Sequence, residues 1–193
     1  MKIVKIGEKN VSKPEVKKVY YDNEQISCES YHVNDKLHRE DGPAYIIYYK
    51  NGQICYEGYY LNHKKHREDG PAITDYYENG AIKVESYWIN NLRHNESGYS
   101  HIEYYKDGKI RHKCFHINDK LHNKDGPALI QYYNNGKILN ESYHINGEHH
   151  RENGPAIIEY NENGEIIREE YWINDKELDI LQAMVMLGLH IKI

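Results

Sequence analysis

Residues 42–52 read GPAYIIYYKNG, and this stretch decides the fold. A run of aromatic and β-branched residues follows Gly42-Pro43, which is typical of a β-strand with proline at its permitted starting edge. Asn51-Gly52 comes next, and both residues tolerate the positive φ that a primed hairpin turn requires. A return strand is expected over residues 53–61, and residues 62–69 connect to the next Gly-Pro. The stretch therefore predicts one β-hairpin.

The same pattern returns every 28 residues, which is the signature of a repeat architecture. Residues 20–24 align in the same register, with Glu24 in place of the turn glycine. We count five clear units and one degenerate amino-terminal unit over residues 13–174, preceded by an extension of residues 1–12. The repeated positions are Gly42, Gly70, Gly98, Gly126 and Gly154; Gly52, Gly80, Gly108, Gly136 and Gly164; Asn34, Asn62, Asn90, Asn118, Asn146 and Asn174; and His38, His66, His94, His122 and His150.

Four positions in each unit are aromatic or aliphatic, as at Tyr48, Ile54, Tyr59 and Leu61. One hairpin cannot bury this layer, but stacked neighbours can. The sequence thus predicts an all-β repeat, an elongated single-layer array of antiparallel β-hairpins with about six units. A strict two-residue turn would place Ile54 opposite Tyr49, on the wrong face. Either the turn is one residue longer with a bulge in the return strand, or both faces are partly apolar.

Residues 175–193 depart from the pattern and predict a C-terminal α-helical cap. The segment 174–177 resembles a capping box with Asn at the N-cap. Apolar residues then recur near helical spacing, at Ile180, Leu181, Met184, Val185 and Leu189. We expect the helix to cover the last open sheet edge; a partner-binding amphipathic helix is the alternative.

Composition narrows the class of function. The net charge is −5 with interspersed signs, so nucleic acid is not expected as a direct target. The first ten residues lack the apolar region of a signal peptide, and the longest apolar run is too short to span a bilayer. Three cysteines form no disulfide framework, which favours a cytoplasmic protein. The Asn-, Lys-, Ile- and Tyr-rich composition suggests an AT-rich bacterial, phage or large-virus genome, and host cytoplasm if the source is viral.

The repeated histidines do not form a predicted metal site or catalytic centre. Equivalent positions in stacked hairpins lie roughly 9–10 Å apart, from the interstrand spacing. Two imidazoles on one Zn²⁺ must approach more closely. We interpret these histidines as structural ties between units. No phosphate loop or nucleophile arrangement occurs, so no catalytic residue, metal or cofactor is predicted, and the chain is not expected to be an enzyme.

Side chains that differ between units are the better functional candidates. One strand position alternates away from the apolar layer and should point outward. Exposed aromatic residues with polar groups are enriched at interfaces, although cross-strand packing is an equal alternative. The third unit is irregular and also loses its Gly-Pro-Ala motif. The candidate binding residues are His32, Tyr60, Trp88, His116, His144 and Trp172 in the outward row, Tyr49, Tyr77 and Tyr105 beside it, and Arg93, Tyr99 and His101 in the irregular unit.

Residues 76–90 resemble MORN-type repeats, particularly the variant of YwqK-type proteins, and residues 38–44 stand where such a repeat has His-Gly-x-Gly. The resemblance spans nearly the whole chain. It implies a β-hairpin array that binds or scaffolds proteins, with lipid binding in some members. The unit is longer than the usual MORN repeat, so the family's groove geometry does not carry over.

These observations predict a non-enzymatic macromolecule-binding protein whose partner is another protein. An inhibitor, antitoxin-like or defence-blocking role fits the suggested source. The alternative is a lipid-headgroup (membrane) or glycan-binding module, because Trp and Tyr also suit membrane interfaces and sugar stacking. The open amino-terminal edge also leaves room for a homodimer.

Overall fold

The computed structural model describes residues 14–188 and contains 23 strands and one helix in that range. The predicted extension of residues 1–12, and Leu189 of the predicted helical pattern, lie outside the described residues. In chain order the strands are β1 Glu15–Tyr20, β2 Ile26–Val33, β3 Lys36–Leu37, β4 Tyr45–Tyr48, β5 Ile54–Gly58, β6 Tyr60–Leu61, β7 Lys64–Lys65, β8 Ile73–Tyr76, β9 Ile82–Ser86, β10 Trp88–Ile89, β11 Leu92–Arg93, β12 His101–Tyr104, β13 Ile110–Cys114, β14 His116–Ile117, β15 Lys120–Leu121, β16 Leu129–Tyr132, β17 Ile138–Ser142, β18 His144–Ile145, β19 Glu148–His149, β20 Ile157–Tyr160, β21 Ile166–Glu170, β22 Trp172–Ile173 and β23 Lys176–Glu177; the helix is α1 Ile180–Met186.

The longer strands form one antiparallel sheet that follows the chain without a crossover. Its order is β1-β2-β4-β5-β8-β9-β12-β13-β16-β17-β20-β21, and β3 adds to β2. Each unit contributes a hairpin, and each hairpin pairs with the next, as β5 does with β8. The predicted all-β array of stacked hairpins is confirmed.

The main hairpin turn is a type I turn followed by a glycine bulge, not the predicted primed turn. The N–H of Gly52 donates to the carbonyl of Tyr49 at 2.9 Å, and the N–H of Tyr49 donates to the carbonyl of Gln53 at 2.8 Å. Only Gly52 has a positive φ, of 84°, while Asn51 keeps an ordinary one. This is the three-residue loop in which glycine occupies the left-handed position.

A second irregularity in the return strand settles the register. Tyr48 is opposite Ile54, whereas the preceding pair is Ile47 with Tyr56, so Cys55 is the extra residue of a bulge. Of the two alternatives left open by the sequence, the longer turn with a bulge is therefore the observed one. Ile54 reaches the same face as Tyr48, and the same shift occurs in every unit.

The connecting segment of each unit folds into a second, shorter hairpin that the sequence did not predict. In the first clear unit Tyr60 pairs with Lys65 across a turn formed by Asn62 and His63. Both turn residues have positive φ, of 50° and 67°, which defines a type I′ turn. The segment was expected to be a plain connection. It instead carries six repeated turns at the Asn positions, which explains the period of Asn34 through Asn174.

Two side chains tie each unit to the next. The hydroxyl of Tyr49 donates to the carbonyl of Tyr76 at 2.7 Å, and His38 Nδ1 accepts the N–H of Asn62 at 3.1 Å. Equivalent tyrosine bonds start at Tyr21, Tyr77, Tyr105 and Tyr133, and equivalent histidine bonds at His66, His94 and His122. The repeated histidines thus tie adjacent units together, as their structural interpretation predicted.

The last unit lacks both ties. Asn161 replaces the tyrosine and bonds within its own turn to Asn163 and Glu165. Leu178 stands where the histidine would be. The last unit therefore lacks the tyrosine and histidine side chains that bond to the following unit elsewhere in the array.

The most buried layer is narrower than the sequence suggested. The third residue of each Gly-Pro-Ala motif is completely buried, at Ala44, Ala72, Ala128 and Ala156, with Ser100 in the irregular unit. The residue two further on is nearly as buried, at 7% exposure for Ile46. The predicted ladder positions are only half-buried, and Ile82 and Ile166 are exposed. The chain forms a thin core along one line of the sheet.

The helix is present but begins later than predicted, and it does not cover the sheet edge. Asn174 and Asp175 form the last type I′ turn, and the capping box is Asp179 with Gln182. Ala183 is the buried residue of α1. Residues 166–169 of the last long strand are exposed, so α1 leaves most of this strand uncovered. Within the described part of the chain, the side chains of β1 are exposed as well.

Candidate functional site

One face of the main sheet repeats almost unchanged from unit to unit, and we call it the ladder face. It carries the positions of Ile46, Tyr48 and Glu57. Tyr76 donates its hydroxyl to Glu57 at 2.7 Å, and the same Tyr–Glu bond recurs two further times. The Arg67 guanidinium lies 4.1 Å above the ring of Tyr59, an arrangement shared by two other units. These residues build the repeat. The Tyr–Glu bond joins neighbouring units, and the Arg–Tyr stacking lies within one unit.

The opposite face differs in nearly every unit, and we call it the variable face. Cross-strand partners share a face, so the pairing registers define its three rows. The first row is Ser30, Tyr45, Gly58, Ile73, Ser86, His101, Cys114, Leu129, Ser142, Ile157 and Glu170. The second is Cys28, Ile47, Tyr56, Asp75, Val84, Glu103, His112, Gln131, Asn140, Glu159 and Arg168. The third, on the short hairpins, is His32, Leu37, Tyr60, Lys65, Trp88, Arg93, His116, Leu121, His144, His149, Trp172 and Glu177.

The third row contains all six residues of the predicted outward row, but they are not exposed. Four of them, His32, Tyr60, His144 and Trp172, lie against the residue two positions earlier. A Cβ at Gly58 would be 2.5 Å from the Tyr60 ring, and Ser142 bonds His144 at 3.0 Å. His116 and His144 are buried, at 8% and 5% exposure, and the other four are half-buried. The expectation of full exposure is therefore wrong, because the short hairpin folds these side chains back over their own strand.

A group of polar side chains converges at the third and fourth units of the variable face. Arg93 is the cross-strand partner of Trp88, and its guanidinium carbon lies 5.1 Å from the indole centroid. His101 is hydrogen-bonded to Ser86 at 2.6 Å, and its ring centroid lies 5.5 Å from that of His112. Three of the predicted residues, Trp88, Arg93 and His101, thus meet in one place.

The loss of the Gly-Pro-Ala motif contributes to this group. Ser100 replaces the buried alanine, and its Oγ bonds both the carbonyl of Cys114 and Nδ1 of His116, at 3.2 and 2.8 Å. Cys114 Sγ lies 2.9 Å from Nε2 of His112. The hydroxyl allows a histidine to be buried here with a partner, which alanine would not provide.

Burial and a nearby positive charge keep the group neutral apart from Arg93. Desolvation, followed by His112 and Arg93, lowers the pKa of His101 to about 4. Desolvation and then Arg93 lower the pKa of His116 to about 4. Burial raises the pKa of the Cys114 thiol to about 12. At neutral pH the imidazoles are uncharged and the thiol is protonated, so the group offers hydrogen bonds but no strong nucleophile.

Four of the predicted residues lie outside the three rows of the variable face. Tyr49, Tyr77 and Tyr105 lie at the turn end of the sheet, where their hydroxyls are used to tie successive units. Tyr99 lies on the ladder side, with its ring centroid 4.2 Å from that of Phe115. It lies over Phe115, where three other units have an arginine over the equivalent tyrosine, and Asn123 stands in that arginine position here.

Sequence reasoning missed Lys65, His112 and Cys114. Lys65 enters the third row only through the short hairpin, and its ammonium lies 4.4 Å from the Trp88 centroid. His112 occupies a second-row position and Cys114 a first-row position, and at both the residue differs from those of the other units. A register-by-register comparison of the return strand would have found these two.

The ladder face bears shallow grooves between consecutive Gly-Pro loops. Three of them measure about 560, 670 and 640 Å³, and each is open to solvent. The second is lined by Tyr59 and Leu61 with the loops 39–42 and 66–69. Their positions follow the repeat, and the third groove differs from the other two because Asn95, Tyr99 and Phe115 line it.

Residues 14–188 contain no group of three or more His, Cys, Asp or Glu side chains placed to hold a metal ion. Within the same range no helix is long and apolar enough to cross a membrane. Cys28, Cys55 and Cys114 are free thiols.

The comparisons with known proteins agree with the architecture. The model of the MORN repeat variant matches residues 44–62, which cover one main hairpin and the start of its short hairpin. The search of curated proteins gives no match. Together with the array of β-hairpins, the family match fits a MORN-like repeat protein. MORN repeats are a protein- and membrane-binding repeat type, and their all-β fold is typically non-catalytic.

Proposed function

We propose that this chain is a non-enzymatic module that binds another protein through its variable face. One observation carries the proposal. Differences between units are concentrated on one face of the sheet, while the other face repeats. A residue that the repeat does not require is free to serve recognition, and the variable face collects such residues over the length of the array.

The chemistry of the third row supports a protein partner. It combines two Trp, one Tyr and several His side chains with Lys65 and Arg93, and aromatic and arginine residues supply most of the binding energy at protein interfaces. Half-buried rings lose little conformational entropy on binding because they are already held against their own strands.

An inhibitory role is consistent with this picture. A module that binds its partner and carries out no chemistry acts by covering a surface. An antitoxin-like or defence-blocking protein would work in this way, and its effect is measured as loss of the partner's activity.

The test begins with capture of a partner from cells of the source organism on the immobilised protein. Binding of the purified partner is then measured for Trp88→Ala and Trp172→Ala, with Lys106→Ala as the matched control on an exposed main turn. We expect each Trp variant to weaken binding by about tenfold or more, as for a central interface aromatic, and the control to bind as the wild type does. Unchanged affinity in both Trp variants, or binding only to liposomes or glycans, contradicts the proposal.

A further inference from the structure

Two cations flank one indole at the centre of the variable face. The ammonium of Lys65 lies 4.4 Å from the Trp88 ring centroid, and the guanidinium carbon of Arg93 lies 5.1 Å from it. The three side chains come from two adjacent short hairpins. Their strands are held together by the bond from the N–H of Arg67 to the carbonyl of Trp88 at 3.1 Å.

Neither the Lys65 ammonium nor the Arg93 guanidinium forms an ion pair among residues 14–188, although the main-chain N–H of Arg93 donates to Oδ1 of Asp119 at 2.7 Å. Four other arginines in that range, Arg39, Arg67, Arg111 and Arg168, are paired with acidic side chains. The fifth, Arg151, donates to Asn153 and to the carbonyl of Pro155. Arg93 differs from all of these, although the protein as a whole has an excess of acidic residues.

The same site contains buried donors without acceptors. Nε of Arg93 and Nε1 of Trp88 are both buried and have no hydrogen-bond partner in the described part of the chain. An unpaired buried donor costs about 1–3 kcal/mol, and such groups are uncommon in folded proteins. Two of them on one cross-strand pair leave this part of the variable face with donors that the described chain does not satisfy.

The surroundings limit the charge of that acceptor. His101, His112 and His116 lie next to Arg93 but add no charge at neutral pH, because burial lowers the pKa of each. The same face carries acidic Asp75 and Glu103 in its second row. A single carboxylate partly neutralises the two charges of Lys65 and Arg93, whereas the successive phosphates of a nucleic acid or an anionic membrane would also meet those acids.

We propose that Lys65, Trp88 and Arg93 form a carboxylate-binding site, and that it holds an Asp or Glu side chain of the protein bound by the variable face. The planar guanidinium donates two hydrogen bonds to a carboxylate in bidentate fashion, and the indole provides an apolar wall for the methylene groups. This inference rests on the proposed function, since it names the partner chemistry at the same face.

The test uses a blocked hexaglutamate peptide as the probe. The Trp172→Phe protein leaves Trp88 as the single tryptophan, so its fluorescence reports on this site. We expect hexaglutamate to change the Trp88 emission saturably, and a matched hexaglutamine peptide to have no effect. Added to this background, Arg93→Gln and Lys65→Gln should each weaken binding about tenfold or more, the size of a charge-assisted hydrogen bond. Arg111→Gln, whose guanidinium is paired with Glu103, is the matched control.

Three results would overturn the inference: no saturable change with hexaglutamate, an equal loss in the Arg111→Gln control, or stronger binding of duplex DNA or phosphatidylserine vesicles than of the peptide. Circular dichroism of each variant confirms that the sheet is retained. Failure of this site is distinguishable from failure of the proposed function. Suppose that a captured partner binds the Arg93→Gln protein with normal affinity but no longer binds the Trp172→Ala protein. That result supports recognition by the variable face and contradicts the carboxylate-binding site.

Discussion

The hydroxyl of Tyr77 donates a hydrogen bond of 2.7 Å to the main-chain carbonyl of Tyr104 in the next unit, the residue before Tyr105, which is the counterpart of Tyr77. The bond joins two hairpins that the sheet alone would hold only by strand pairing. Because the same bond recurs four more times, it is a regular contribution to the stability of the stack.

Replacing Tyr77 with Phe removes this bond and leaves the ring in place. We expect a loss of about 1 kcal/mol in the free energy of unfolding, measured by urea denaturation. Tyr20→Phe is the control, since the Tyr20 side chain is 57% exposed. Equal stability of the two variants would show that the hydroxyl contributes nothing to stacking.

The Gly-Pro loops that contain arginine should be less tolerant of a methyl group than those that contain asparagine. A Cβ at Gly42 would lie 3.0 Å from Cζ of Arg39, whereas at Gly126 the nearest atom of Asn123 is 3.5 Å away. Arg39 cannot move freely, because it is bonded to Asp41 and stacked on Tyr31. Gly42→Ala should therefore cost about 1 kcal/mol or more, and Gly126→Ala much less.

A rescue experiment separates this steric cause from a backbone effect. Combining Gly42→Ala with Arg39→Asn reproduces the composition of the asparagine loops, so thermal denaturation should show less penalty from the alanine in that background. If Gly42→Ala destabilises the Arg39→Asn protein as much as the wild type, the cause lies in the backbone of residue 42.

The turn assignment predicts different sensitivities at two adjacent residues. Gly52 has φ of 84° and Asn51 does not have a positive φ. Gly52→Ala should therefore destabilise the protein by about 1 kcal/mol for the left-handed conformation. Asn51→Ala should lose two exposed bonds, the one from the Gln53 N–H to Oδ1 of Asn51 and the 3.3 Å bond from the Asn51 amide to the carbonyl of Glu78. A larger effect at Asn51 than at Gly52 would argue for the primed turn instead.

Acidification should weaken the fold through its buried histidines. Desolvation, followed by the nearby His149, lowers the pKa of His144 from 6.5 to about 4. The unfolded chain therefore binds more protons than the folded chain between these values, and stability falls as the pH drops from about 6.5 to 4. His144→Gln should reduce this decline in urea midpoints measured across that range. His63→Asn, at an exposed turn, should leave it unchanged; an equal effect in both would exclude burial as the cause.

The sequence predicted the features that repeat. The 28-residue period alone predicts the stacked hairpins, and the period of His38 predicts a tie between units. It did not predict the short hairpins, because a turn such as Asn62-His63 lacks the glycine that marks a primed turn in sequence. That conformation is fixed by contacts from the next unit, including the bond from the Lys65 N–H to Asn91 at 2.7 Å. The complete burial of Ala44 was not predicted, because the sequence places this residue at the start of a strand.

The candidate site was predictable in part for the same reason. Trp88 and Arg93 were found because they differ from the other units, but Lys65 joins them only when the short strands are paired. The burial of His116 depends on Ser100, whose hydroxyl is its partner, and no single-residue pattern reveals such a pair. The repeat therefore identified which residues differ between units, but it did not predict how exposed their side chains are.

The central claim is that recognition takes place on the variable face and not in the grooves of the ladder face. Tyr60 and Leu61 are adjacent in one short strand and point to opposite sides, Tyr60 beside Tyr56 on the variable face and Leu61 into a loop groove. Photoactivatable benzoylphenylalanine is placed at each position in turn, and crosslinking to the captured partner is measured in the complex. The two positions compare contact with the partner on the two faces. We predict a covalent adduct with the partner from position 60 and none from position 61. An adduct from position 61 alone would contradict the account.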